Sequence, residues 1–168
     1  MENKESSLFV FAGKYGVLGA IVAIVITLLF FVLHMQDSAW LNIVHAVLLV
    51  LIILWGQYEY GKTQTASAGY GTMVGLGVLI VLYYAIVAGV YGFIHLGYID
   101  TQAMSRSLDA AEEAMLMQGL PDEQIRIALE YQAKFTSPMV ASLFGAVGSM
   151  VIGTIISLIT SIMMKKNQ

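Results

Sequence analysis

Four long stretches of the sequence contain no Asp, Glu, Lys or Arg, and this pattern limits what the chain can fold into more than any other. They are residues 15–36, 38–58, 63–99 and 135–164. About 20 apolar residues cross the hydrocarbon core of a bilayer as a helix, so each stretch is long enough to span a membrane. The sequence therefore predicts an all-α, polytopic membrane protein with four transmembrane helices.

The composition argues against a water-soluble fold. Of the 168 residues, 58% are hydrophobic and 11% are charged, whereas a soluble domain carries about 25% charged residues. A soluble protein of this size would expose large apolar patches. The net charge of −3 offers no basic footprint for nucleic acid, and the absence of cysteine excludes disulfides and thiol chemistry.

The predicted domain covers residues 1–168, with spans near 15–33, 40–55, 73–96 and 139–164. The third charge-free stretch holds one crossing, because residues 64–72 are rich in Gly, Ser and Thr and are typical of a loop. The apolar run at residues 17–33 is longer than the roughly 7–15 residues of a cleaved signal. It is therefore expected to remain as a signal anchor.

The distribution of Lys and Arg predicts the orientation, because positive charges favour the cytoplasmic side of a membrane. With the N-terminus inside, the opposite side carries Arg106, Arg126 and Lys134. The cytoplasmic side then carries five lysines, namely Lys4, Lys14, Lys62, Lys165 and Lys166. Both termini are therefore expected in the cytoplasm.

The polar segment at residues 97–137 holds seven acidic residues against three basic ones. The segment predicts an extramembrane amphipathic helical hairpin between helices three and four. Apolar residues recur at helical spacing, the first helix ends at Gly119, and a second helix begins at Pro121. Helices that bind a membrane surface usually carry Lys and Arg on their polar face. The hairpin could pack on the mouth of the bundle, lie on the membrane surface or receive a partner. Because it is acidic, we expect it to cap the bundle or meet a partner rather than bind anionic lipid. A solvated connection is the simpler alternative. The predicted stripe consists of Met104, Leu108, Ala111 and Met115.

Small residues recur at every fourth position along the fourth span and again early in the third. Such a ridge lets another helix approach closely, which matters because lipid gives apolar helices little reason to associate. Packing within the chain is the plain interpretation and homodimerisation is the alternative. The predicted helix-packing residues are Gly145, Ser149, Gly153, Ser157, Ser161, Gly71 and Gly75.

The three histidines, His34, His45 and His95, are expected toward the outer side of the membrane. Imidazole can bind a transition metal or relay protons, so they form a candidate metal or proton site. Their spacing matches no metalloprotease motif, and histidines also settle at membrane interfaces for their amphipathic character. No span contains a buried charge, which argues against an ion-driven carrier. No catalytic arrangement or cofactor site stands out, so we expect no enzyme.

Several segments of the chain together carry a resemblance to a known family. They are Lys14-Tyr15-Gly16, the Gly-rich turn before the third span, the acidic hairpin, Thr136-Ser137-Pro138-Met139, the helix at residues 153–159 and the terminal Lys165-Lys166. Together they resemble a bacterial membrane family of uncharacterised function, domain of unknown function 4199. The resemblance implies a four-helix protein of the bacterial inner membrane and carries over no catalytic or binding residues. The chain departs from the pattern at residues 56–60, where a more basic turn is expected.

Three functions remain after this reasoning. The leading hypothesis is a non-enzymatic membrane protein that acts by association, as an accessory subunit or a small scaffold. The alternatives are a small oligomeric transporter or channel, and the metal or proton site at the histidines. The expected partners are the lipid bilayer and either a second copy or another membrane protein, with no nucleic acid.

Overall fold

The computed structural model describes the backbone of residues 2–63 and 69–166 and the side chains of residues 8–63 and 69–164. Residues 64–68 of the predicted loop lie outside this description. So do the side chains of Lys4, Lys165 and Lys166, on which part of the orientation argument rests.

Within this described part the chain is helical and contains no strand. Four helices are long and apolar enough to cross a membrane, over Leu8–Val32, Ala39–Thr63, Tyr70–Ile99 and Pro138–Met164. The predicted all-α class and the predicted number of membrane-length helices are therefore confirmed. A π-helical turn, His95–Ile99, extends the third helix, and the α-helices are α1 (Glu2–Val32), α2 (Ala39–Thr63), α3 (Tyr70–Ile94), α4 (Ala103–Met117), α5 (Asp122–Phe135) and α6 (Pro138–Lys166).

Helix α2 continues to Thr63 rather than ending near residue 55, so residues 56–60 are helical and not a turn. A glycine followed by polar residues normally predicts a helix end. Here Gly56 is buried, and a Cβ atom at this position would lie 2.5 Å from Cδ1 of Ile80 and 3.4 Å from the Tyr15 ring. Tertiary packing against α1 and α3 therefore outweighs the local signal.

The chain divides into two compact units, Met1–Ala88 with Ala146–Gln168, and Gly89–Gly145. The first unit contains α1, α2, most of α3 and most of α6. Helices α1 and α2 run antiparallel in it, since Phe11 lies 5.3 Å from Tyr60 and Tyr15 lies 5.3 Å from Trp55 between ring centroids. The largest fully buried apolar side chains of this unit are Ile53, Met73, Leu76, Ile80 and Val81.

Two glycines let α1 and α6 approach α3 closely within the first unit. A Cβ atom on Gly16 would meet the carbonyl oxygen of Ile80 and would lie 2.7 Å from Cβ of Tyr83. A Cβ atom on Gly153 would lie 2.5 Å and 2.6 Å from the two Cγ atoms of Val81. Neither position has room for a side chain, so both contacts depend on glycine.

The outward faces of the four long helices carry large exposed apolar side chains, among them Leu51, Ile86, Val90 and Ile155. In water such faces would be an aggregation hazard. In a bilayer they contact lipid tails, which suits a multi-pass membrane protein.

Helices α4 and α5 belong to the second unit and meet at Gly119. This glycine has a φ of +71°, and its N–H donates to the Leu116 carbonyl at 2.9 Å while the Leu120 N–H donates to the Met115 carbonyl at 3.3 Å. Such a left-handed residue with these two bonds ends many helices. Helix α5 then begins directly after Pro121.

We predict that Gly153→Ala destabilises the protein and that Gly145→Ala does not, although both residues lie on α6. The first should lower the free energy of unfolding by about 1–3 kcal/mol, because Val81 is stiff and cannot yield. At Gly145 no described atom lies within 4 Å of the added Cβ, so stability should stay unchanged or rise by up to about 1 kcal/mol. Unfolding of both variants in mixed detergent micelles measures the difference, and equal losses would contradict this packing.

Candidate functional site

The most unusual polar group of the first unit is the side chain of Gln57, which is 0% exposed although it lies inside the span Ala39–Thr63. A buried amide in an apolar environment is costly unless its donors and acceptors find partners. Its position on α2 follows helical spacing, because Leu49, Ile53 and Tyr60 are buried on the same face. Gln57 therefore faces the interior of the bundle rather than lipid.

The Gln57 amide connects three helices. Its Nε2 donates to the Met73 carbonyl of α3 at 3.1 Å and to the hydroxyl of Ser161 on α6 at 3.0 Å, with the Ser157 hydroxyl at 3.4 Å. The hydroxyl of Ser157 donates to the Val74 carbonyl at 3.0 Å, and that of Ser161 donates to the Ser157 carbonyl at 2.6 Å. We call these three side chains and two α3 carbonyls the Gln57 cluster.

One atom of the Gln57 cluster remains without a hydrogen bond from the described groups. The Oε1 atom of Gln57 is buried and accepts none. Turning the amide over would place Oε1 against the Met73 carbonyl, which cannot donate, and the Ser161 hydroxyl would have to give up its bond to the Ser157 carbonyl to donate to it. Chemically, the cluster offers one acceptor to a hydrogen-bond donor, and none of its side chains carries a charge near neutral pH.

Gly77 makes room for the Gln57 cluster on α3. A Cβ atom there would meet the Ser157 hydroxyl, would lie 2.7 Å from Ser157 Cβ and would lie 3.0 Å from Nε2 of Gln57. The cluster is therefore tightly packed, and its polar atoms meet only because this α3 residue has no side chain.

The predicted helix-packing residues divide into packed and open positions. Gly153, Ser157 and Ser161 are buried against the rest of the first unit, whereas the Ser149 hydroxyl bonds the Ala146 carbonyl of its own helix at 2.8 Å. A Cβ atom would have no described neighbour within 4 Å at three further positions, Gly71, Gly75 and Gly145.

His34 contacts the end of its own helix, whereas His45 of α2 contacts α1. His34 is exposed and ends α1 with a left-handed φ of 54°, its N–H donating to the Phe31 carbonyl at 3.0 Å. Nε2 of His45 lies 3.3 Å from the Ala23 carbonyl and 3.3 Å from the Thr27 hydroxyl of α1. The carbonyl contact favours the tautomer with the proton on Nε2.

His95 belongs to the second unit, in the π-helical turn, where it is buried and its Nδ1 lies 2.9 Å from the Tyr91 hydroxyl. Among residues 8–63 and 69–164, the structure assembles no group of three His, Asp or Glu side chains able to hold a metal ion. The metal site at His34, His45 and His95 gains no support from this arrangement and stays a prediction.

An ion pair closes the π-helical turn just beyond the third span. Arg106 donates through Nη1 to Oδ1 of Asp100 at 2.9 Å and through Nη2 to Oδ2 at 2.7 Å, while the Asp100 N–H donates to the His95 carbonyl at 2.7 Å. These Arg106 hydrogen bonds hold the pKa of the Asp100 carboxyl below its ordinary value, despite the opposing effect of burial. The pair therefore stays charged and fixes the start of α4.

Residues 14–166 match a family described as "Protein of unknown function (DUF4199)". The chain belongs to the DUF4199 family. No curated protein and no solved structure matches it. The match confirms the resemblance drawn from the sequence, and it includes every residue of the Gln57 cluster.

Sequence reasoning missed Gln57 in this DUF4199 chain, because the second span was predicted to end before it. A signal was nevertheless present. Gln57 lies four residues after Ile53 and three before Tyr60, which is the spacing of one helix face. Ser157 and Ser161 were recognised, but as small packing residues rather than as hydrogen-bonding partners.

We predict that Gln57→Leu leaves the stability of this DUF4199 protein within about 1 kcal/mol of the original chain. Leucine loses hydrogen bonds worth about 0.6 kcal/mol each in membranes, but it also removes a buried acceptor without a donor, which costs about 1–3 kcal/mol. Gln57→Ala is the matched variant, and its cavity should cost about 2–5 kcal/mol. Detergent unfolding of both measures this. A large loss for the leucine variant would mean that the amide is mainly structural.

Proposed function

We propose that this DUF4199 protein is a bacterial inner-membrane protein that acts without catalysis, by binding another membrane protein as an accessory subunit or small scaffold. The observation that carries the proposal is the open glycine pair on α3. Gly71 and Gly75 lie one turn apart, and a Cβ atom on either would have no described neighbour within 4 Å. A pair of this kind is a common contact surface between transmembrane helices.

Glycines elsewhere in the chain support this use of the pair. Gly16 and Gly153 already allow helix contacts inside the first unit, where a side chain would collide with α3. Gly71 and Gly75 are equally small but lie on α3 itself, where Gly71 is exposed and Gly75 half-buried, and a Cβ atom on either would have no described neighbour within 4 Å. A glycine in a helix costs about 0.5–1 kcal/mol relative to alanine, and a helix docked at this surface would offset that cost.

The surface continues along α3 with apolar side chains. Helical spacing places Leu82 and Ile86 above the glycine pair on the same face, and both are exposed. A partner helix could therefore contact small residues near one end of α3 and branched residues toward the other. This face carries no charge, so the partner segment we propose is itself a transmembrane helix.

The proposal includes an orientation, with both termini in the cytoplasm and α4 and α5 forming an extramembrane hairpin on the other side. Four crossings return the chain to the side where it begins. Lys62, exposed at the end of α2, and the exposed Lys14 of α1 support a cytoplasmic position for that end of the bundle.

We predict that a photoreactive residue at Leu82 captures another membrane protein in native membranes. Gly75→Ile should abolish this adduct, because its side chain would fill the surface, while the Cβ atom it adds has no described neighbour within 4 Å. Leu51→Ile is the matched control, since it changes an exposed side chain of α2, and it should leave the adduct intact. No adduct, or one that survives Gly75→Ile, would contradict the proposal. An adduct of two identical chains would replace the accessory subunit with a homo-oligomer.

We also predict the outcome of cysteine labelling, which the cysteine-free chain permits without background. In intact spheroplasts, a membrane-impermeant maleimide should label Glu113→Cys on α4. Lys62→Cys should react only after the membrane is permeabilised. Both residues are exposed in the structure, so a difference in labelling between them shows that they lie on different sides of the membrane. The reverse pattern would place the termini outside.

A further inference from the structure

Helix α5 has three distinct faces rather than the two of an ordinary amphipathic helix. The first faces inward and consists of the buried Ile125 and the half-buried Ala128, Leu129 and Gln132. Phe135 lies at the edge of this face, about 80° around the helix from Ile125, and it is 65% exposed.

The second face of α5 is a ladder of alternating charges. Arg126 pairs with Glu123 at 2.7 Å and approaches Glu130 to 3.8 Å, and Lys134 lies 3.9 Å from Glu130. Two acidic and two basic side chains therefore offset one another along this ladder. The surplus of negative charge in the segment lies elsewhere, so the net acidity of residues 97–137 does not keep this part of α5 away from a membrane.

The third face is an exposed apolar stripe, which we define as Ile127, Tyr131 and Phe135. These side chains are 42%, 62% and 65% exposed and lie four residues apart, so they form one line along the helix. The stripe runs between the inward face and the charge ladder. Neither of the other two faces covers it.

We propose that this stripe lies in the interface of the membrane that the protein spans, so that α5 rests along the bilayer surface. Phe135 lies three residues before Pro138, where the fourth candidate span begins. Exposed apolar side chains continue into that span at Met139 and Leu143. The C-terminal end of α5 is therefore at the membrane boundary, and the stripe continues the lipid-facing surface of α6 along the chain.

The residue types of the stripe also suit lipid headgroups. Tyrosine is enriched at membrane interfaces, where its ring lies in the apolar region and its hydroxyl in water. The ammonium group of Lys134 lies 4.9 Å from the centroid of the Tyr131 ring, as expected for a lysine that extends from the interface toward water. Glu130 lies beside Lys134 on the charge ladder, and its carboxylate would remain hydrated.

The size of the stripe favours lipid over a protein partner. All three side chains of the stripe are already partly covered. Because a whole aromatic side chain buries about 150–250 Å² and only Tyr131 and Phe135 are aromatic, the uncovered part of the stripe amounts to roughly 500 Å² at most. A specific protein interface needs about 800 Å² per partner. A narrow stripe that continues into a membrane span fits lipid better than a separate protein.

Spin labels on single cysteines in proteoliposomes of neutral phosphatidylcholine test this arrangement. The labelled variants are Ile127→Cys and Tyr131→Cys, and Arg126→Cys is the matched control at the same level of α5 on the charge ladder. We expect a several-fold higher ratio of oxygen to nickel-chelate accessibility at residues 127 and 131 than at residue 126. Helix content by circular dichroism should equal that of the original chain, because all three side chains are exposed.

Ile127 is the decisive position. Residues 127 and 135 are separated by about 12 Å along the helix axis, so an upright α5 would place Phe135 in lipid and Ile127 in water. High nickel accessibility at residue 127 would overturn the proposal. Low accessibility to both reagents at residues 127 and 131 would also overturn it, in favour of a protein that covers the stripe.

Discussion

Helices in a bilayer gain little from hiding apolar surface from one another, because lipid tails are as apolar as leucine. They are held together by close van der Waals packing and by a few hydrogen bonds between helices. In this chain α3 takes part in both kinds of contact. Gly16 of α1 and Gly153 of α6 lie directly against it, and the amide of Gln57 on α2 bonds the Met73 carbonyl. The four-helix unit is therefore organised around one helix that every other helix contacts through a small or polar residue.

The Gln57 cluster shows how polar groups can be buried there. Its serine hydroxyls donate to helix carbonyls that water cannot reach, and Nε2 of Gln57 donates to oxygens on two other helices. Only Oε1 lacks a donor among the described groups. Since a leucine of similar volume would fill the site without this cost, local stability alone is a weak reason for glutamine at this position.

Much of the architecture could be predicted from sequence because the membrane imposes a length and excludes charge. The four charge-free stretches are sufficient to predict the number and class of the helices. Residue 57 shows where this reasoning stops. A glycine followed by glutamine locally resembles a helix end, whereas in the structure Gly56 packs against Ile80 and Tyr15, which are distant in sequence. Likewise, a four-residue repeat identifies one face of α6 but not which of its positions meet a neighbour, so Gly145 and Gly153 looked equivalent.

The two kinds of glycine on α3 can be separated by their angle around the helix. At about 100° per residue, Gly77 points to the side of Met73, Ile80 and Val81, whereas Gly71 and Gly75 point nearly opposite. The inner side is already filled by Gln57 and Ser157. A helix that docks on the outer side would therefore displace lipid and would leave the contacts within the bundle in place. Because a Cβ atom added at Gly75 would have no described neighbour within 4 Å, the docking proposed for the outer side can be tested separately from the packing on the inner side.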